Sequence, residues 1–126
     1  KFLKGYTMAK NNMGIRGEDA AVEYLKDKGY TILNRNFHSR FGEIDIIAKI
    51  KNIICFVEVK TRKNNCYGRP AEAVNYSKRQ KIIQTAEQYL SCNFSENFMY
   101  RFDIIEVFYY DSYIFSFNHL KGAFEV

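Results

Sequence analysis

The sequence predicts a mixed α/β domain in the order α-β-β-β-α-β-β, with a mixed central sheet flanked by helices. Three observations predict it. Two segments carry apolar residues at helical spacing. Short runs rich in β-branched and aromatic residues lie between and after them. A polar link at Lys51–Asn52 joins two of those runs into a hairpin.

A chain of 126 residues suits one compact domain with a single core. The first residues, KFLKGYTMAKNN, are basic and polar without periodicity, so 1–13 reads as a disordered or appended N-terminus and 14–126 as the domain. From Arg16 to Lys28 the pattern is helical, with Ala21, Val22 and Leu25 on one apolar face and Gly29 as the stop. Tyr30 to His38 reads as a strand that turns at Ser39–Arg40, followed by strands over Glu43–Lys49 and Ile53–Thr61. A loop over Arg62–Tyr76 holds Gly68 and Pro70. From Ser77, a plausible N-cap, to Ser91 a second helix places Ile82, Ile83, Ala86, Tyr89 and Leu90 on one stripe. Strands over Met99–Tyr109 and Tyr113–Phe117 close the chain.

Nearly half of the residues are apolar, which excludes a disordered chain, and the net charge of +5 is compatible with a polyanionic partner without requiring one. The three cysteines, Cys55, Cys66 and Cys92, match neither a zinc site nor a disulfide framework, and read as thiols of a reducing cytoplasm. No apolar run has the length of a membrane span, so no membrane partner is expected.

The chemistry concentrates in GEIDIIAKIKNIICFVEVKTR. A two-residue turn at Lys51–Asn52 pairs positions whose numbers sum to about 103. Asp45 then faces Glu58 and Glu43 faces Lys60, on one side with Ile47 and Phe56; Ile44, Ile46, Val57 and Val59 take the other side. Facing acids, with β-carbons about 5 Å apart, destabilise a sheet unless something compensates. A hard divalent cation does so, since Mg²⁺ uses one or two carboxylates with waters and phosphates. Lys60 then stands one side chain away, placed to neutralise a phosphate oxygen or orient a water. The competing reading is a half-exposed salt-bridge network, common on such strands. Glu18 lies at helical spacing from Ala21, Val22 and Leu25, near the start of the first helix. An acid there also suits the helix dipole without any further role.

An acid, a short hairpin gap and Glu-x-Lys in this element order resemble the core of the PD-(D/E)XK nuclease superfamily. The segments GEDAAVEYLKDKGYTILNRNF, FGEIDIIA, FVEVKTR, YGRPAEAV, KRQ, AEQYL, RFDII and NHLKGAF narrow the likeness to the YraN-like bacterial proteins, which are similar to archaeal Holliday junction resolvases. The resemblance spans almost the whole chain from Gly14. It implies a restriction-endonuclease-like core and a Mg²⁺- or Mn²⁺-dependent endonuclease acting on DNA, with branched or damaged structures as candidate substrates. It also implies the roles of particular residues. Asp45 and Glu58 match the two motif acids as metal ligands, Lys60 the motif lysine, and Glu18 the helix acid that assists the metal. Ile44 stands where the superfamily's name has proline, as is usual in this branch.

Beyond the hairpin, Arg62, Lys63 and Arg69 are candidate phosphate contacts, with solvated charge as the competing reading. Of Lys78, Arg79 and Lys81, which open the second helix, Arg79 projects near the apolar stripe and the other two fall outside it; the resemblance favours Lys78 as a contact to the nucleic-acid backbone. Tyr67 is placed to stack on a base, although packing is the simpler expectation. Arg101 and Asp103 alternate on one strand face and read as an internal ion pair. His38 and His119 have no partner at ligand spacing and receive no role. The aromatic FDIIEVFYYDSYIFSF fills the core or forms part of a homodimer interface. Two other classes compete with the enzyme: a non-catalytic nucleic-acid-binding module on the same fold, and an interaction protein assembling through its aromatic C-terminus.

Overall fold

The computed structural model describes residues 13–63, 74–94, 98–111 and 113–125. Among the described residues, two helices and five strands follow in the expected order: α1 (Met13–Asp27), β1 (Thr31–Ser39), β2 (Gly42–Ile50), β3 (Ile53–Lys63), α2 (Tyr76–Asn93), β4 (Met99–Tyr110) and β5 (Tyr113–Phe124). The strands form one sheet in chain order. Only the β3–β4 pair is parallel, and α2 lies in the connection that such a pair requires. Arg62 and Lys63 therefore end a strand instead of opening a loop. Cys66, Tyr67, Gly68, Arg69 and Pro70 lie outside the described residues, as does the segment 1–12.

The sheet carries a core on each face. On the α1 side, Ala20, Ala21, Val22 and Leu25 pack with Ile46, Ala48, Cys55, Val57, Ile105 and Val107. On the α2 side, Ile82, Ile83, Ala86 and Tyr89 pack with Ile47, Ile54, Phe56, Phe102 and Ile104. The paired strands β3 and β4 lie between these layers and hold long buried runs, as strands covered on both faces do. The aromatic C-terminal stretch divides: Phe102 and Phe108 are buried, whereas Tyr110 and Tyr113 at the β4–β5 turn are exposed.

Local chemistry fixes the ends of the helices. Gly29, at φ 95°, closes α1: its amide donates to the Lys26 carbonyl, and the Tyr30 amide reaches back to that of Leu25. This is the double bond pattern of a left-handed glycine cap. The N-cap of α2 is Asn75 and not Ser77, because the Asn75 side chain accepts from the Lys78 amide at 2.9 Å. Both residue types cap well, and the chain enters the helix two residues earlier than the apolar stripe suggests.

The β2–β3 hairpin has the expected register, from Ile50 opposite Ile53 to Ile46 opposite Val57, each pair summing to 103. Lys51 in its turn takes φ 52°. The regular alternation of β2 fails one residue later. Ile44 packs with the α2-side core and Ile46 with the α1-side core, so they do not share a face as alternation requires. The irregularity sits beside Asn36 of β1, whose φ of 52° kinks that strand at the same level.

Candidate active site

Asp45 lies at this break. Its Oδ2 accepts the Val59 amide at 2.9 Å, so the carboxylate reaches across to β3 and fills a backbone bonding position past the last regular pair. Glu58, the residue before Val59, is only 6% exposed and its Oε2 lies 3.0 Å from Nζ of Lys78 on α2. The regular β2–β3 pairing ends at Ile46–Val57, before the expected Asp45–Glu58 and Glu43–Lys60 pairs. Glu43 pairs across the other hairpin with His38, whose Nε2 lies 3.3 Å away, and both side chains are exposed.

Electrostatics mark the two acids as a pair. Burial holds Asp45 above the ordinary carboxylate range, with the Val59 bond and the charge of Lys78 working against it. Burial also raises Glu58, and the charge of Asp45 raises it further. Lys78 and Lys60 oppose both shifts. Lys60 forms no ion pair among the described residues, while Lys78 is held charged by Glu58 despite the cost of its own desolvation. Glu18 approaches from α1. Burial first, and then the charge of Asp45, push its pKa up to about 7. The approach of α1 is close: a Cβ on Gly17 would come 2.5 Å from Oγ1 of Thr61, so that side chain would have to shift for anything larger.

The donor set fits Mg²⁺ or Mn²⁺ in kind. Two desolvated carboxylates supply hard oxygens, and Mg²⁺ typically takes one or two of them along with water and phosphate oxygens. Among the described residues no three acidic, His or Cys side chains are arranged to hold a metal ion, so Glu18 adds charge near Asp45 without completing a third ligand position.

The remaining expected residues divide. Lys78 is at the site, on Glu58, and not turned away from it. Arg62 lies at the end of β3, where its Nε faces Glu106 Oε2 at 3.4 Å; Glu106 is buried and also accepts from Asn118 at 2.8 Å. Lys63 is exposed at the strand end, and Arg69 lies outside the described residues. His119 has partners that sequence spacing did not show. Its Nε2 lies 2.8 Å from Asp103 and its Nδ1 3.2 Å from the Tyr24 hydroxyl. Arg101 joins Asp103 at 2.9 Å, as expected, and donates to the Tyr30 hydroxyl at 2.7 Å. This network belongs to the α1 side of the sheet. The alternation in β5 offered no sign of it, because two shifts in the β4–β5 register decide which residues face one another. Beside the acids, Gly42, Glu43, Asn75, Ser77, Lys78, Lys81 and Ile82 line a hollow of about 340 Å³.

The chain is similar to bacterial proteins known by family alone. A UPF0102 protein of Clostridium acetobutylicum is 51% identical over 116 residues, covering 90% of this chain and 93% of its own length. One from Caldicellulosiruptor saccharolyticus is 44% identical over 118 residues, covering 93% of this chain and all of its own. One from Clostridium botulinum is 46% identical over 117 residues, covering 91% and 95%. The family model described as "Uncharacterised protein family UPF0102" matches residues 17–107, a span that contains Glu18, Asp45, Glu58, Lys60 and Lys78 together. With its motifs, its length and its relatives in agreement, this chain belongs to the UPF0102 family.

Proposed function

We propose that the protein is a divalent-metal-dependent endonuclease-like enzyme that hydrolyses phosphodiester bonds in DNA, on a core of the restriction-endonuclease type. The observation that carries this reading is the pair of desolvated acids, Asp45 and Glu58, at the point where β2 loses its alternation, with Lys60 beside them. A buried acid, Glu58, whose pKa is raised by burial and by the charge of a half-buried one, Asp45, next to a hollow with lysines on its wall, suits a cation and a phosphate better than it suits stability.

Asp45 and Glu58 would hold Mg²⁺ or Mn²⁺, which supplies Lewis-acid polarisation of the scissile phosphate and a lowered pKa for water. The chain's own groups do the rest. The Val59 amide fixes the direction of the Asp45 carboxylate, and Lys60 stabilises charge developing on the phosphate. Glu18, at a pKa of about 7, can take or return a proton near neutral pH. Arg62, Lys63, Arg69 and Lys78 supply contacts to the nucleic-acid backbone, with branched or damaged DNA as the leading substrate class. A homodimer would place a second site on the opposite strand, and the unbridged Cys55 and Cys92 suit a reducing cytoplasm.

A specific observation favours a second reading, a non-catalytic nucleic-acid-binding module. Glu58 already has a cationic partner, and no third acid closes a metal cluster among the described residues. The test is cleavage of branched and linear DNA in Mg²⁺, Mn²⁺ and EDTA by the wild type, Asp45→Asn and Glu58→Gln. The nuclease reading expects metal-dependent cleavage by the wild type and a loss of at least about a hundredfold in each variant. DNA binding that persists in EDTA, with no cleavage by any form, would establish the module instead.

A further inference from the structure

The Lys78–Glu58 contact has a geometry that a static ion pair does not need. Glu58's side chain is 7% exposed and Lys78's is 48% exposed, so the ammonium reaches a buried acid from the solvent rim. The root of that side chain is fixed, because the Lys78 amide is held by the Asn75 cap at 2.9 Å in the first turn of α2. Its tip is on a flexible four-carbon stem. Lys78 also lines the hollow beside the acids, so the ammonium has somewhere to go when it leaves Glu58. A lysine that is anchored at its base and half in water, and that neutralises an acid expected to bind a cation, occupies the place of that cation.

We propose that Lys78 is the resident counter-ion of the Asp45–Glu58 pair, and that a divalent cation binds only as the Lys78 ammonium is released from Glu58 toward the hollow. The inference rests on the nuclease reading in one respect alone, that Asp45 and Glu58 hold the divalent cation. Two physical effects act in the same direction. A site closed by its own lysine in most molecules binds with an affinity reduced by the fraction that is open. A fixed positive charge beside the carboxylates also repels the incoming ion. Release costs the lysine little, since half of it is already in water. The displaced ammonium then lies where the phosphate of a bound nucleic acid would meet it, so cation binding prepares the adjacent surface for an anion.

The test is titration of Mn²⁺ into the full chain, followed by electron paramagnetic resonance, for the wild type, Lys78→Met, Lys81→Met and Asp45→Asn. Removing Lys78 should tighten Mn²⁺ binding about tenfold, the gain expected if the lysine holds nine molecules in ten closed. Lys81→Met, on the same helix and wall but unpaired with Glu58, should bind as the wild type does. Thermal denaturation gives a second readout. Lys78→Met should melt lower than the wild type in EDTA and gain more from saturating Mn²⁺, which a purely structural lysine would not produce. Mn²⁺ binding by Lys78→Met that equals the wild type, with loss in Asp45→Asn, would overturn the counter-ion role and leave the metal site standing. Binding by Lys78→Met alone would support it in its strongest form. No binding by any variant would overturn both this inference and the nuclease reading.

Discussion

Two buried acids of the sheet, Asp103 and Glu58, are treated in opposite ways. On the α1 side Asp103 is fully enclosed and accepts from Arg101 Nε, His119 Nε2 and the Gly122 amide at 2.8–3.0 Å. Burial alone would raise its pKa, but these donors overcome it and hold the carboxyl below its ordinary value. At the β2–β3 break Asp45 has one backbone amide and Glu58 has one half-exposed ammonium, and both acids stay above theirs. Depth is similar for Asp103 and Glu58; the supply of donors is not. A buried acid with a full set of partners consolidates a fold, whereas an undersupplied one keeps an appetite for positive charge.

That contrast breaks most visibly at Asp103. Its replacement by Ala should destabilise the protein by about 3–5 kcal/mol, because Arg101 and His119 lose their common acceptor. Urea denaturation measures this, and a loss below 1 kcal/mol would show that the network is dispensable. The sign of the pH effect follows from the lowered pKa. The contribution of Asp103 is fully present above the ordinary value of 3.8 and is lost as the pH falls below it.

The acid pair should behave in the reverse sense. Without metal at neutral pH, Asp45→Asn combined with Glu58→Gln should melt no lower than the wild type, because it removes two charges that burial penalises. The same double variant should bind no Mn²⁺. A clear fall in melting temperature would place the pair with Asp103 as a structural device.

Glu18 gives the smallest and sharpest comparison. Its pKa in the fold, about 7, exceeds the ordinary 4.5, so the folded state holds a proton that the unfolded chain releases. Its contribution therefore diminishes as the pH rises from about 4.5 through 7. Glu18→Gln in EDTA should show a shallower decline of melting temperature over that window than the wild type. Equal slopes would mean that water screens the half-buried carboxyl.

Much of this arrangement was legible in the chain because it is local. The spacing of Ala21, Val22 and Leu25 identified the buried face of α1, and the turn at Lys51–Asn52 set the hairpin register by counting. The regular register stops at Ile46–Val57, one pair short of Asp45 and Glu58, so their approach rests on the break beyond it and not on counting. What escaped depends on contacts between distant segments. Lys78 falls outside the apolar stripe of α2, and only the packing of that helix on the sheet brings it to Glu58. The partnership of His119 with Asp103 needs the register of β4 and β5, which shifts twice. The break in β2 had a faint signal in Asn36, a residue type that tolerates left-handed backbone within a strand. Strict alternation overrode it and put Ile44 with Ile46.

The bond from the Val59 amide to Asp45 makes that side chain a rung of the sheet as well as an acid. Whether or not the site binds a cation, a short acceptor is needed at this position to keep the amide satisfied. Asparagine meets that need; alanine is too short, and glutamate is a methylene too long. Glu58 has no such obligation, since its one bond among the described residues is to a lysine side chain. Under the proposed function, loss of cation binding would thus release Glu58 while position 45 kept its shape. On the same reading, the glutamate is then the better mark of a cation-binding member of the family.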